Sequence, residues 1–244
     1  MNSFDRIAAR YDEWYQTPLG RAVDRFEKEA VFALARPRPG AICLDVGCGT
    51  GNYALELAAI GARAAGVDDS SEMLHVAKGK AERAGLRIPL AQARGEALPF
   101  SSGTFDLVIA VTTLEFVRNP EAVVREMMRV LKPGGQLVVG VLTRWSIWAL
   151  LRRLKGALTS SIYNSARFLS ARQVCALLRS AGCDSVRTRA AVFVPPVNSR
   201  IWLLAASAAE AVGRWMRLPG AAFLAAAGRK PDPFRASTDA ARRR

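Results

Sequence analysis

Histidine is almost missing from this chain: among 244 residues there is one, His75. Chemistry built on an imidazole base, or a metal site rich in histidine, therefore has almost nothing to work with. Cysteine is sparse as well. Cys43, Cys48, Cys175 and Cys183 show no CxxC pairing, which leaves a zinc site without support and reads as four buried or incidental thiols; no metal is expected. No uncharged apolar run approaches the roughly 18 residues that span a bilayer, and the segment from Met1 to Trp14 carries acids and bases where a signal peptide would need an apolar core. The expected location is the cytoplasm. Acid is the scarcer sign of charge, with 21 Asp and Glu against 35 Lys and Arg and a formal net charge of +14.

That excess admits a nucleic acid, an anionic membrane surface or an acidic carrier as partner. It also admits an arginine-rich composition with no target, since Arg decorates stretches such as Arg21 to Arg25. Half of the residues are hydrophobic, so the composition is that of a globular protein. The length suits one domain, expected over 1–230, with a polar, basic and frayed tail over 231–244.

Apolar bursts of strand length alternate with helical segments: Ala41 to Val46, Ala62 to Val67, Ile88 to Gln92, Phe105 to Val111 and Gln136 to Leu142. Such alternation predicts an α/β fold with a mostly parallel sheet and helices on both faces. The continuous run Leu107 to Val111 belongs in the middle of the sheet, covered on both sides. Asn119-Pro120 opens a helix carrying Val123, Val124, Met127, Val130 and Leu131, and Pro133-Gly134-Gly135 stops it. A helix from Ser170 to Ser180 and strands over Val186 to Val194 and Ala221 to Ala227 bring the sheet to seven. Residues 1–36, 143–169 and 195–219 lie outside this plan. They read as an N-terminal helical cover and two helical insertions that together form a substrate lid.

The segment Leu44-Asp45-Val46-Gly47-Cys48-Gly49-Thr50-Gly51-Asn52 follows a strand and precedes a helix, where a glycine-rich loop can bring backbone N–H groups against a ligand. A dinucleotide fingerprint fails at Asn52, which stands where the third glycine belongs. An acid before glycines at every second position would repel a pyrophosphate and welcome an ammonium group, so the ligand should join a cation to an adenine-like body. S-adenosyl-L-methionine fits. Asp68, ending the second strand roughly 20 residues on, is placed to hold a ribose through both hydroxyls. A helix N-cap is its alternative role, which Asp69 or Ser70 could also fill.

The blocks LDVGCGTGNYALELAAIGARAAGVDDSSEML, GEALPFSSGTFDLVIAVTTLEFV and REMMRVLKPGGQLVV resemble, in order and spacing, the signature blocks of the class I S-adenosylmethionine-dependent methyltransferases, especially the ubiquinone and menaquinone biosynthesis branch. The likeness runs from about Phe4 to Leu142. It implies a Rossmann-like fold, with Gly47, Gly49 and Gly51 around the methionine part of the cofactor and Asp45 near its amino group. Asp68 and Asp69 would stand by the ribose, Gly95 and Glu96 by the adenine, and Val111 at the end of the fourth strand. The chain departs from its relatives twice. Arg94-Gly95 stands where they often have Asp-Ala, and Leu114-Glu115-Phe116 where they often have Leu-His-His.

Methyl transfer from a sulfonium is an in-line displacement that needs alignment and exclusion of water more than acid–base groups. Glu115 is the candidate base, because residues after the fourth strand face the crevice where ligands bind; a solvated loop acid is the competing reading. Phe4, Ile7, Tyr11, Trp14 and Tyr15 recur at near-helical spacing and would suit a sulfonium electrostatically, with Tyr11 the residue expected beside the cofactor. Arg144 to Lys155 mixes tryptophans and leucines with four basic residues and no acid, a composition suited to an apolar or lipid-like acceptor and to peripheral contact with a membrane; the resemblance to the ubiquinone and menaquinone branch implies that such an acceptor would be quinone-like. An RNA or protein acceptor is the rival. Against it, Val111-Thr112-Thr113-Leu114 is not the Asn/Asp-Pro-Pro-aromatic motif of many nitrogen methyltransferases. A third reading is a cofactor-binding protein that acts without turnover.

Overall fold

The computed structural model describes residues 4–158, 163, 166–197, 199–216 and 218–233. Strands form at or across each expected strand segment: β1 (Ile42–Val46), β2 (Arg63–Asp68), β3 (Leu90–Gln92), β4 (Phe105–Val111), β5 (Leu131–Leu142), β6 (Asp184–Ala191) and β7 (Phe223–Arg229). They make one seven-stranded sheet in the order β3-β2-β1-β4-β5-β7-β6. The pairs from β3 to β5 are parallel, and β7 runs antiparallel between β5 and β6. β4 lies at the centre, with Leu107 to Val111 buried as a run.

The helices are α1 (Ala8–Tyr11), α2 (Glu13–Gln16), α3 (Pro18–Ala35), α4 (Asn52–Ala59), α5 (Ser71–Arg83), α6 (Pro120–Val130), α7 (Ile147–Leu158), α8 (Ala171–Ser180) and α9 (Arg200–Trp215). Capping chemistry sets several starts. Asn119 accepts from the Ala122 N–H ahead of Pro120, and Ser170 forms a reciprocal capping box with Gln173. Two apolar layers cover the sheet. One joins α3 and Leu57 of α4 to Trp148, Ala149 and Ala206; the other joins α6 and α8.

Three stretches differ from expectation, the first being β6, which runs Asp184–Ala191 where Val186 to Val194 was expected. The helix after Asn119 ends at Val130, and Leu131 already pairs with Phe105 as the first residue of β5. The sheet captures that residue, and a shift of register between Phe105 and Leu107 absorbs the Pro133-Gly134-Gly135 stretch. Next, α3 does not cover the site but buries Phe26, Ala30 and Val31 in the layer that covers the sheet. The part of the N-terminal region that reaches the strand ends is therefore residues 4–17. The expected tail lies outside the described residues from 234 onward. Among the described residues, no helix is long and apolar enough to cross a membrane.

Candidate active site

Strand order reverses at β1, whose neighbours are β2 on one side and β4 on the other. A crevice forms at such a switch point beyond the carboxyl ends of the strands. Here it is a cavity of about 500 Å³, within the usual span for small ligands. Asp45, Gly47 and Gly49 from the β1 loop, Asp68 and Asp69 from the end of β2, Gly95 and Glu96 after β3, and Val111 of β4 all line it. Tyr11 lines it from the N-terminal segment, together with Phe4 and Tyr15.

Two expected residues stand elsewhere. Gly51 is not in the cavity wall: with φ +80 it caps α4, and a Cβ there would lie 3.1 Å from Ala77 of α5. Its glycine serves helix packing. Glu115 is not in the wall either. Its buried carboxylate accepts the Leu142 N–H at the end of β5, while the next residue, Phe116, faces the cavity. Adjacent residues in this turn point to opposite sides, so the crevice receives the ring and not the acid. The Glu115 Oε2 finds no hydrogen-bond partner among the described residues, and burial raises the carboxyl to about 7.

The loop glycines serve close approach. Gly47 has φ +69, and a Cβ there would lie 2.3 Å from the Thr113 methyl group, a conformation and a clearance that only glycine accepts. Four backbone donors of the loop are spent inside the protein. The N–H groups of Gly47 and Cys48 both donate to Val67 O, that of Gly51 to Cys48 O, and that of Gly49 to Asp68 Oδ2 at 2.8 Å. The sequence suggested that these groups would meet the ligand, but the structure leaves glycine surfaces and carboxylates there instead. A phosphate would find little to bind, whereas an ammonium and a pair of hydroxyls would find acceptors.

Asp45 is buried and accepts the Ala54 N–H at 3.1 Å. Burial pushes its carboxyl up to about 7, opposed by that hydrogen bond and reinforced by Asp68. Asp68 accepts from Gly49 and, at 2.9 Å, from the Ser70 N–H. Its oxygens keep further lone pairs for a diol. The helix cap that Asp68 could have supplied comes from Ser70, which accepts from Met73. Arg94 lies beside Glu96 in the cavity wall, Nη2 to Oε1 3.4 Å. His75 is exposed on α5, and Cys43, Cys48 and Cys183 are buried thiols.

Sequence reading missed the fastening of the cover. Asp12 Oδ1 accepts from Thr50 Oγ1 at 2.7 Å and from Asn52 at 3.3 Å, and Asp12 Oδ2 takes Lys80 Nζ at 2.7 Å. Asp5 accepts from Ser70 Oγ at 2.6 Å. Two acids thus clip the N-terminal segment to the cofactor loop and to α5. The rings of Phe4 and Phe116 meet edge to face at 5.0 Å across the cavity wall. Thr112, another wall residue, holds φ +50, an uncommon conformation for a β-branched residue and one that clusters at functional sites. Spacing in the sequence carries no sign of it.

Residues 44–139 match the family described as methyltransferase domain. An uncharacterised protein of Methanocaldococcus jannaschii is 33% identical over 193 residues, covering 79% of this chain and 86% of that protein. A ubiquinone biosynthesis O-methyltransferase of Cereibacter sphaeroides is 31% identical over 196 residues, covering 78% and 72%. This chain belongs to the class I S-adenosylmethionine-dependent methyltransferases. The crystal structure of a SAM-dependent methyltransferase of Thermotoga maritima superimposes on it with a TM-score of 0.72 and 25% identity, over 93% of this chain and 97% of that one. The fold is accordingly that of the family, and S-adenosyl-L-methionine is the methyltransferase's cofactor. The acids and glycine surfaces of the cavity fit that molecule, which supplies an electrophilic methyl group.

Proposed function

We propose that this methyltransferase acts on a small, apolar, quinone-like acceptor that enters beside the aromatic side of the cavity. The observation that carries the reading is the composition of the wall. Carboxylates come from the ends of β1 to β3, whereas Phe4, Tyr11, Tyr15, Tyr53 and Phe116 come from the cover, the start of α4 and the turn after β4. An aromatic wall buries an aromatic acceptor and stacks against it. The name of the Cereibacter relative points the same way.

In this reading Asp45 receives the cofactor's ammonium group, Asp68 its ribose hydroxyls with Asp69 beside them, and Gly95 and Glu96 border the adenine. Tyr11 and the rings near it exclude water from the methyl group. The acceptor supplies its own nucleophile. Burial raises the hydroxyls of Tyr11, Tyr15 and Tyr53 above the ordinary tyrosine value, so they stay protonated and act as hydrogen-bond donors rather than bases. Glu115 faces away. An acceptor with an acidic O–H or an electron-rich carbon needs no base, whereas an amine or an alcohol would.

The test is methyl transfer from labelled S-adenosylmethionine to a panel of hydroxylated aromatic and quinol compounds, run beside bulk tRNA, a protein mixture and amines. Transfer to ring hydroxyls or ring carbons is expected. Transfer only to RNA, protein or amines would overturn the acceptor class, and tight cofactor binding with no transfer to any acceptor would favour a protein that works without turnover.

A further inference from the structure

Two helices of this protein present the wrong face to water. In α7 the residues Ile147, Leu150, Leu151 and Leu154 are exposed, and their spacing of three, one and three residues puts them on one stripe. The opposite side is buried. Trp148 donates its indole N–H to Val194 O at 2.8 Å, and Arg152 turns inward over the rings of Trp148 and Tyr163 at 5.2 and 5.0 Å. In α9 the acid Glu210 is fully buried, accepting the N–H groups of Val192 and Phe193. Leu204 and Trp215 stand 87% and 84% exposed. Each helix turns one charged side chain inward and leaves large apolar side chains in water, the reverse of a helix facing solvent.

Both also sit on the edge that holds the cavity. α7 follows the end of β5, and α9 lies between the end of β6 and the start of β7, where Leu142 pairs with Phe223. Charge decides what covers them. Residues 143–219 hold twelve Lys and Arg against only Asp184 and Glu210, a net of +10 out of the chain's +14. A second copy would bring like charge against like. A nucleic acid would satisfy the arginines and leave the leucines and tryptophans bare. An anionic bilayer answers both.

We propose that this edge docks on an anionic lipid surface, with Trp145, Leu150, Leu154, Leu204 and Trp215 entering the boundary between headgroups and acyl chains. Arg144 and Arg153, exposed beside the α7 stripe, meet the lipid phosphates. The cavity then opens toward the bilayer, and an acceptor dissolved in it reaches the cofactor without crossing water. That last step rests on the proposed acceptor class, whereas the docking does not.

The test is flotation of the purified full-length protein with vesicles of phosphatidylcholine alone or with about one third phosphatidylglycerol. Binding to the anionic vesicles alone is expected, weakening as salt screens the arginines. The double substitution Leu150→Glu and Leu154→Glu should weaken it on the order of a hundredfold, with unchanged cofactor affinity and melting temperature as proof of folding. A second variant, Trp215→Ser, should weaken it about tenfold with no added charge. Absence of flotation with anionic vesicles, equal binding by the variants, or a concentration-dependent dimer that the same variants dissolve would each overturn the proposal. Because vesicle binding is read without turnover, its failure and a failure of the acceptor reading are separate results.

Discussion

Replacing Asp45 by Asn separates the two consequences of burying a carboxyl where a cation must bind. The side chain is buried, accepts the Ala54 N–H at 3.1 Å, and is raised by desolvation from the ordinary 3.8 to about 7. The folded protein therefore holds a proton that the unfolded chain has released, so this group's stabilisation is full below about pH 4 and is lost as pH rises through 7. Asn cannot ionise and still accepts from Ala54. At about 1.4 kcal/mol for each tenfold gap, the free variant should match the wild type near pH 4 and exceed it by as much as about 4 kcal/mol at pH 8. Cofactor affinity moves the other way. The ammonium group needs the carboxylate, and losing a buried charge partner costs on the order of 3 kcal/mol, or about a hundredfold in Kd. Wild-type affinity should rise about fivefold between pH 6 and pH 7 and about tenfold by pH 8, levelling off above, whereas that of the variant stays flat. Urea unfolding reads the first effect and titration calorimetry the second. A flat wild-type profile, or equal affinity in D45N, would refute the assignment; a variant that simply folded badly would lose stability instead of gaining it.

Asp68→Ala removes the acceptor of the Gly49 and Ser70 N–H groups, so it should lower stability by about 1–3 kcal/mol and cofactor affinity by more than tenfold in calorimetry. Asp12→Ala cuts the bonds to Thr50, Asn52 and Lys80; stopped-flow should show cofactor dissociation several-fold faster with association little changed. Glu115→Gln keeps an acceptor for Leu142 and removes a carboxyl raised from 4.5 to about 7 by burial. Stability at pH 8 should rise by up to about 3 kcal/mol with turnover within about twofold of wild type; a tenfold loss of kcat with intact cofactor binding would restore Glu115 as a base. Gly47→Ala drives a Cβ into Thr113 at positive φ and should abolish measurable cofactor binding while the far-ultraviolet circular dichroism is retained.

Strands were legible because a strand covered on both faces must be a continuous apolar run, and Leu107 to Val111 is one. Helix starts were legible because capping is local: Asn119 and Ser170 announce themselves within four residues. The acids and glycines of the cavity were found because they recur at spacings set by one strand-loop-helix unit. Where a residue serves another element, spacing is silent. Gly51 packs on Ala77 of α5, and Leu131 goes to the sheet because Phe105 lies opposite it. Asp12 meets Lys80 across 68 residues of chain, a contact with no local signature.

Glu115 and the outward stripe of α7 share one cause. A hydrophobic period fixes which residues share a face but not which face meets the core, and a turn residue's side is set by its neighbours' dihedral angles. In the turn that follows Thr112, itself at φ +50, Phe116 takes the cavity and Glu115 the end of β5. In α7 the ring of Trp14 meets Trp148 at 6.1 Å, and Trp148 is also bonded to Val194, so the helix is anchored through its tryptophan and shows its leucines outward. The period that reads as a lid over the substrate thus yields the opposite orientation once one indole has two partners. The leucines that a lid would turn toward the acceptor are the ones left free for a lipid surface.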